Sequence, residues 1–136
     1  MEAESYSTLI KQAKTVFVCG NGGSSANAEH LSNDIFSKGI KVVCLNSNTS
    51  IMTMIANDFG YEFVFSKQLE VLASKEDLLI TLSCSGTSPN IIKAIEVAQK
   101  IRMRTLEFPV FEGKDRDFGK LEDKHLQLVH QIKELL

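Results

Sequence analysis

Two short apolar runs in this chain each end in a loop of glycine and small polar residues, and a helical segment follows each loop. The first run, 15–19, leads into Gly20-Asn21-Gly22-Gly23-Ser24-Ser25, and the second, 78–82, leads into Ser83-Cys84-Ser85-Gly86-Thr87-Ser88. Strands that are apolar throughout are typical of parallel sheets covered on both faces, and parallel neighbours need a crossover, usually a helix. The pattern therefore predicts an α/β fold.

The rest of the chain continues this alternation. Further strands are predicted at 41–45 and 104–108, and helices at about 9–13, 24–37, 50–56, 62–73, 88–101 and 120–136. Asn57-Asp58-Phe59-Gly60 is interpreted as a break between helices. At 136 residues the chain fits a single domain, 1–136. We predict a three-layer αβα sandwich with a doubly wound parallel sheet, closed by the C-terminal helix.

Both loops are expected at the carboxyl ends of parallel strands, where open α/β sheets bind ligands. Glycine lets the backbone approach a ligand closely, and a helix N-terminus favours anions. The loops lack the glycine spacing of a dinucleotide fingerprint and the lysine of a nucleoside-triphosphate loop, which favours a phosphorylated small molecule. The candidate phosphate donors are Ser24, Ser83, Ser85 and Ser88. The alternative is that these serines are helix caps and turn formers.

Titratable residues on two predicted helices form a second candidate group. His30 and Asp34 are four residues apart and share a helix face, and the last helix carries Glu122 and His130. Together their nitrogen and oxygen atoms could hold zinc, or supply a carboxylate and an imidazole for proton transfer. The alternative is that each is a solvated bystander, and the spacing leaves open whether the two helices meet.

Asn57 and Asp58 form a third candidate group, because an amide and a carboxylate suit the hydroxyls of a sugar. An Asx turn before Phe59-Gly60 explains them equally well.

Composition narrows the possible partners and location. The net charge of −2 argues against a large nucleic-acid surface, and no apolar run approaches the roughly 20 residues of a membrane span. The polar start Glu2-Ala3-Glu4-Ser5 differs from a signal peptide. Cys19, Cys44 and Cys84 lie in or just after predicted strands, which suits buried thiols in a reducing compartment. We predict a cytoplasmic protein with no nucleic-acid or membrane partner.

Together these motifs resemble the sugar isomerase (SIS) domain and, within it, the phosphoheptose isomerases. The resemblance covers about 15–103 and 120–136. It is carried by Gly20-Asn21-Gly22-Gly23-Ser24, His30, Asn57-Asp58-Phe59-Gly60-Tyr61 and Ser83-Cys84-Ser85-Gly86-Thr87-Ser88. The resemblance implies interconversion of sedoheptulose 7-phosphate and D-glycero-D-manno-heptose 7-phosphate through an enediol. It also implies a homo-oligomer, tetrameric in the family.

The resemblance further implies roles for individual residues. Phosphate is held by the four serines, and the substrate is also lined by Asn21, Gly22, Gly23, Asn57, Asp58, Cys84 and Glu122. Asp34 is the base and His130 its acid partner. One zinc ion per subunit is implied, with the ligands His30, Asp34, Glu122 and His130.

This chain differs from the family pattern at several points. Cys84 stands where threonine is usual, Asp34 where glutamate is usual, and Glu122 where glutamine is usual. The chain is also shortened at the N-terminus and between about 105 and 119. Two non-catalytic hypotheses therefore accompany the enzyme: a sugar-phosphate sensor, and an SIS module that binds a replication initiator.

Overall fold

Residues 2–136, which the computed structural model describes, contain a four-stranded parallel sheet in the order β2-β1-β3-β4. The strands are β1 (Val16–Gly20), β2 (Val42–Cys44), β3 (Leu78–Leu82) and β4 (Arg104–Glu107). Val16 pairs with both Val42 and Leu78, and Leu78 pairs with Arg104, so the four strands begin at one level. The predicted parallel sheet is confirmed.

Six α-helices and one 3-10 helix surround this sheet in the described part of the chain. They are α1 (Glu2–Gln12), α2 (Gly23–Ser37), α3 (Thr49–Asp58), the 3-10 helix (Tyr61–Phe63), α4 (Ser66–Leu72), α5 (Pro89–Lys100) and α6 (Phe118–Leu135). Within residues 2–136, none of these helices is both long enough and apolar enough to cross a bilayer.

Alternate residues of the central strands supply two separate cores. Val16 and Val18 of β1 pack with residues of α1, α2 and α6 on one face, whereas Phe17 and Cys19 pack with residues of α3, α4 and α5 on the other. Successive side chains of a strand point to opposite faces, so an entirely apolar strand must be covered on both. The predicted three-layer sandwich is confirmed, with α6 completing one outer layer.

The strand order places a switch point between β1 and β3. From β1 the chain crosses to β2 on one side, and it then returns to build β3 and β4 on the other. Crossovers that leave in opposite directions open a crevice beyond the carboxyl ends of the two central strands. The two glycine and serine loops follow these two strands.

Two helix boundaries differ from the sequence prediction. Asn57 and Asp58 are the last residues of α3 and not a break, because the backbone bonds of the helix continue to the N–H of Phe59, which donates to the carbonyl of Ile55. The predicted helix 62–73 is split into the 3-10 helix and α4. Val64 and Phe65 lie between them and are both fully buried. The apolar residues of this segment lie at roughly helical spacing, so the sequence did not indicate the break between the two helices.

His125 fastens α6 to the loop after β4. Its Nε2 donates to the backbone oxygen of Pro109 at 2.6 Å. The ring is almost fully buried and packs nearly perpendicular to the ring of Phe108. Nδ1 has no hydrogen-bond partner among the described residues. Burial therefore lowers the pKa of His125 below its usual 6.5, because a protonated ring would place an unsatisfied charge in the core.

We expect stability to fall with acidification because of His125. Below about pH 6.5 the unfolded chain binds a proton at this residue that the folded chain does not, so stability present above that pH is lost as the pH falls. Urea unfolding at pH 7.5 and 5.5 measures the loss. His125→Gln should show a smaller loss between these two pH values than the wild type. An equal loss in both proteins would contradict this role.

Candidate active site

The structure brings the two loops together around one cavity at the carboxyl edge of the sheet. Its volume is about 70 Å³. We call it the serine cavity, and its lining residues are Asn21, Ser24, Leu82, Ser83, Cys84, Ser85, Ser88, Phe118 and Glu122. A volume of this size suits a compact group such as phosphate and is too small for a whole sugar.

Two helix N-termini border the serine cavity. Gly22 precedes α2 and Ser88 precedes α5, and neither position supplies a side-chain cap to its helix. Gly22 and Gly86 have φ values of 58° and 70°, which suit glycine and turn each loop sharply. The positive ends of two helices favour an anion here, and at the start of α2 the carboxylate of Glu122 already lies against Gly23.

The loop hydroxyls are held by the backbone. Ser83 Oγ accepts from the N–H of Gly86 at 3.0 Å, and Ser85 Oγ accepts from the N–H of Thr87 at 3.1 Å. A hydroxyl that accepts from the backbone keeps its own proton available for donation. Ser83 and Ser85 are therefore turn formers, as the alternative held, and each keeps a hydroxyl proton for a second hydrogen bond.

A pair of asparagine side chains joins the two loops. Asn21 Nδ2 donates to Asn90 Oδ1 at 2.8 Å, and Asn90 Nδ2 donates to Asn21 Oδ1 at 2.9 Å. The hydroxyl of Tyr61 donates to the same Oδ1 of Asn21 at 2.9 Å. Sequence reasoning did not single out Asn90, and it included Tyr61 only within the motif that carries the resemblance. Asn90 directly follows Pro89 in α5, so its place beside the second loop was the available signal.

Asn46 fastens the first loop to the end of β2. Its Oδ1 accepts from the N–H of Gly20 at 3.2 Å, and its Nδ2 donates to the carbonyl of Gly20 at 2.6 Å. A Cβ at Gly20 would lie 2.7 Å from the carbonyl oxygen of Ser24 and 2.8 Å from that of Leu82. Glycine is therefore required at the point where the two loops approach each other.

Glu122 and Cys84 give the serine cavity an unusual wall. The carboxylate of Glu122 lies against Gly23, while its backbone oxygen accepts from Asn27 Nδ2 at 3.0 Å. Burial raises the pKa of the Cys84 thiol; the hydrogen bond with Ser24 opposes this, and Glu122 adds to it. The thiol therefore stays neutral at pH 7 and adds no further charge.

A second group of side chains lies where α2 packs on α6. We call His30, Asp34, His130 and Lys133 the Asp34 cluster. His30 Nε2 lies 3.6 Å from one carboxylate oxygen of Asp34, and Lys133 Nζ lies 3.6 Å from the other. The rings of His30 and His130 meet edge to face with centroids 5.1 Å apart. The two helices do meet, which the spacing alone left open.

Most of the chain matches a known domain family. The model of the SIS domain matches residues 2–107. The chain belongs to the SIS domain family. The phosphoheptose isomerase of Helicobacter pylori (strain P12) is 42% identical over 121 residues, which is 85% of this chain and 60% of that relative. This SIS domain chain thus spans about 60% of the length of that relative.

A second relative and a solved structure that this chain resembles are also phosphoheptose isomerases. The phosphoheptose isomerase of Campylobacter concisus is 33% identical over 142 residues, which is 90% of this SIS domain chain and 75% of the relative. The structure of phosphoheptose isomerase from Neisseria gonorrhoeae superimposes with a TM-score of 0.87 at 27% identity. That superposition covers 98% of this chain and 81% of the other.

The four zinc ligands implied by the resemblance do not come together in this SIS domain. His30, Asp34 and His130 are neighbours, but Glu122 is directed at Gly23 and lies eight residues, or about 12 Å of helix, before His130. Within residues 2–136, no three His, Cys, Asp or Glu side chains are placed to hold a metal ion. The cation nearest to Asp34 is Lys133. The residues therefore do not fit a zinc ion in the arrangement of this chain.

Asn57 and Asp58 do not line the serine cavity. They are exposed at the end of α3, where Asn57 Nδ2 donates to Asp58 Oδ1 at 3.0 Å. The 3-10 helix that follows contributes Tyr61, which reaches Asn21. Their assignment to the sugar stays a prediction.

Proposed function

We propose that this SIS domain chain is a phosphoheptose isomerase that interconverts sedoheptulose 7-phosphate and D-glycero-D-manno-heptose 7-phosphate. The observation that carries the proposal is that α2 connects two sites. The serine cavity lies at its N-terminus, and the Asp34 cluster lies near its C-terminal end. The named relatives in Helicobacter and Campylobacter support the same activity.

The phosphate end of the substrate is assigned to the serine cavity. Ser24, Ser83, Ser85 and Ser88 supply hydroxyls, and the uncapped starts of α2 and α5 supply N–H groups. Neutral donors suit a phosphate dianion that must also be released. Binding at this remote end orients the reacting carbons at the other end of the sugar.

The spacing along α2 suits a long sugar phosphate. Ser24 and Asp34 are ten residues apart in one helix, a rise of about 15 Å. A seven-carbon sugar phosphate measures about 10 Å from C1 to phosphorus at ordinary bond lengths. The extended heptose phosphate therefore covers about two thirds of this separation, and the side chains and hydrogen bonds at its two ends cover the rest.

The Asp34 cluster supplies the groups for proton transfer. Isomerisation moves a proton from the hydroxyl-bearing carbon to the neighbouring carbonyl carbon, and a second proton from the hydroxyl to the carbonyl oxygen. We assign Asp34 as the base at carbon and His130 as the group that exchanges the proton at oxygen. His30 lies against both and orients them. The hydroxyl-bearing carbon is oxidised to a carbonyl and the former carbonyl carbon is reduced, so the reaction is an internal oxidation and reduction.

No step of the proposed reaction is routed through zinc, because the ligands that the resemblance implies do not fit the ion in the arrangement of this chain. We also propose that the enzyme is a homo-oligomer, as the resemblance implies, and that it acts in the cytoplasm. Phe36 and Val71, which are 73% and 83% exposed, are the apolar residues that we expect an association to bury. A neighbouring subunit would cover such surfaces.

The proposal is tested by incubating the purified chain with sedoheptulose 7-phosphate and detecting the aldose phosphate. Ser85→Ala removes one donor to phosphate and should lower kcat/KM by about tenfold to a hundredfold, mainly through KM, since a hydrogen bond to a charged group is strong. Ser50→Ala, an exposed serine of α3, is the matched control and should match the wild type. Absence of product with the wild type, with and without added zinc, would refute the isomerase.

A sugar-phosphate sensor is the second candidate, and one observation favours it. The Asp34 side chain is only 3% exposed beneath its neighbours, so a bound sugar reaches it only after they move. A sensor would bind sedoheptulose 7-phosphate in calorimetry and form no product. Binding with turnover selects the enzyme.

A further inference from the structure

The Asp34 carboxylate is buried, and its charge must be compensated by neighbouring groups. Its side chain is 3% exposed, and one of its oxygens has no hydrogen-bond partner among the described residues. A buried carboxylate without a compensating charge is very costly. Some positive group must therefore accompany it in the folded chain.

Lys133 is that group. Its ammonium nitrogen lies 3.6 Å from Asp34 Oδ1, and its own side chain remains 46% exposed. It lies on α6 three residues after His130, which places both on the side of α6 that faces α2. The other neighbour, His30, contacts Asp34 Oδ2 and is neutral unless protonated.

The same ammonium disfavours a second cation. A divalent ion bound at Asp34 would lie within about 4 to 6 Å of Lys133, a distance at which like charges repel strongly in a partly buried site. The fourth residue of the implied ligand set, Glu122, is turned toward Gly23. The positive charge of Lys133 and the absence of Glu122 from the ligand set both weaken metal binding at Asp34.

We propose that Lys133 takes the place of a metal ion at Asp34, so that an ammonium group holds the carboxylate in position for proton transfer. Lys133 is a positioning residue in this account. The catalytic consequence rests on the proposed isomerase function, whereas the competition with metal does not.

Zinc binding tests the competition directly. The full chain is stripped with EDTA, dialysed, and titrated with zinc alone by isothermal titration calorimetry. Removing the charge in Lys133→Met should tighten zinc binding by about tenfold or more, whereas Lys133→Arg should bind zinc as weakly as the wild type. Lys124→Met, which removes an exposed charge from the same helix, is the control and should leave zinc affinity unchanged.

Steady-state kinetics with sedoheptulose 7-phosphate tests whether Lys133 positions Asp34. Lys133→Met should lower kcat with little change in KM, and Lys133→Arg should restore most of it, while EDTA leaves wild-type turnover unaltered. Circular dichroism melts establish folding, and Lys133→Gln serves if the methionine variant is unfolded. Stoichiometric zinc binding by the wild type that is no tighter in the lysine variants would overturn the proposal. If neither the wild type nor any variant turns over sedoheptulose 7-phosphate, but the zinc affinities follow the expected order, the proposed isomerase function is wrong. The competition between Lys133 and zinc is then still supported.

Discussion

Asp34→Asn is expected to lower kcat for sedoheptulose 7-phosphate by about a thousandfold, because the amide cannot accept the proton from carbon. KM should change little, since the proposed phosphate site lies about 15 Å away along α2. The substitution keeps the shape of the side chain, and Lys133 is 46% exposed, so water can solvate the ammonium that loses its partner. Steady-state kinetics on the folded variant measures both constants.

Glu29→Gln is the matched control for this prediction. Glu29 is a carboxylate on the same helix, but it is exposed and lies outside the Asp34 cluster. The same change from acid to amide should leave kcat and KM at their wild-type values. If Asp34→Asn kept more than half of the wild-type kcat, another group would have to be the base.

Gly20→Ala should destabilise the fold by about 3 kcal/mol, the upper end of the usual cost of overpacking. The added methyl group would lie within 2.8 Å of two backbone oxygens, those of Ser24 and Leu82, and backbone atoms cannot move aside as a side chain can. For a chain of this size we expect Tm to fall by about 10 °C. Binding of phosphosugar should weaken as well, because those two residues lie in the walls of the serine cavity.

Gly119→Ala separates crowding from a general effect of glycine replacement. A methyl group there would lie 3.7 Å from its nearest neighbour, in ordinary contact, and alanine favours helix α6 by up to about 1 kcal/mol. Its Tm should equal or exceed that of the wild type in a thermal melt. A Gly20→Ala variant that melts within about 2 °C of the wild type would show that the loops can separate without cost.

Much of the fold could be predicted because its signals are local. The apolar runs at 15–19 and 78–82 are the central strands to within one residue, since entirely apolar strands bury only in a covered parallel sheet. The serine loops could be placed at one edge because parallel strands share their carboxyl ends. The start of α4 was less accessible, since Val64 and Phe65 are buried in a core to which several elements contribute.

Contacts between distant parts of the chain were decided by the tertiary structure. Asn21 and Asn90 are 69 residues apart, and nothing in either segment indicates that their amides pair. Glu122 and His130 share a helix in the sequence, yet packing turns one toward Gly23 and the other toward His30. Lys133 reads in the sequence as one more surface lysine, and packing alone sets it beside Asp34. Strand and loop patterns arise from each residue's own chemistry and near neighbours, whereas the partners of a polar side chain depend on how whole helices come to rest.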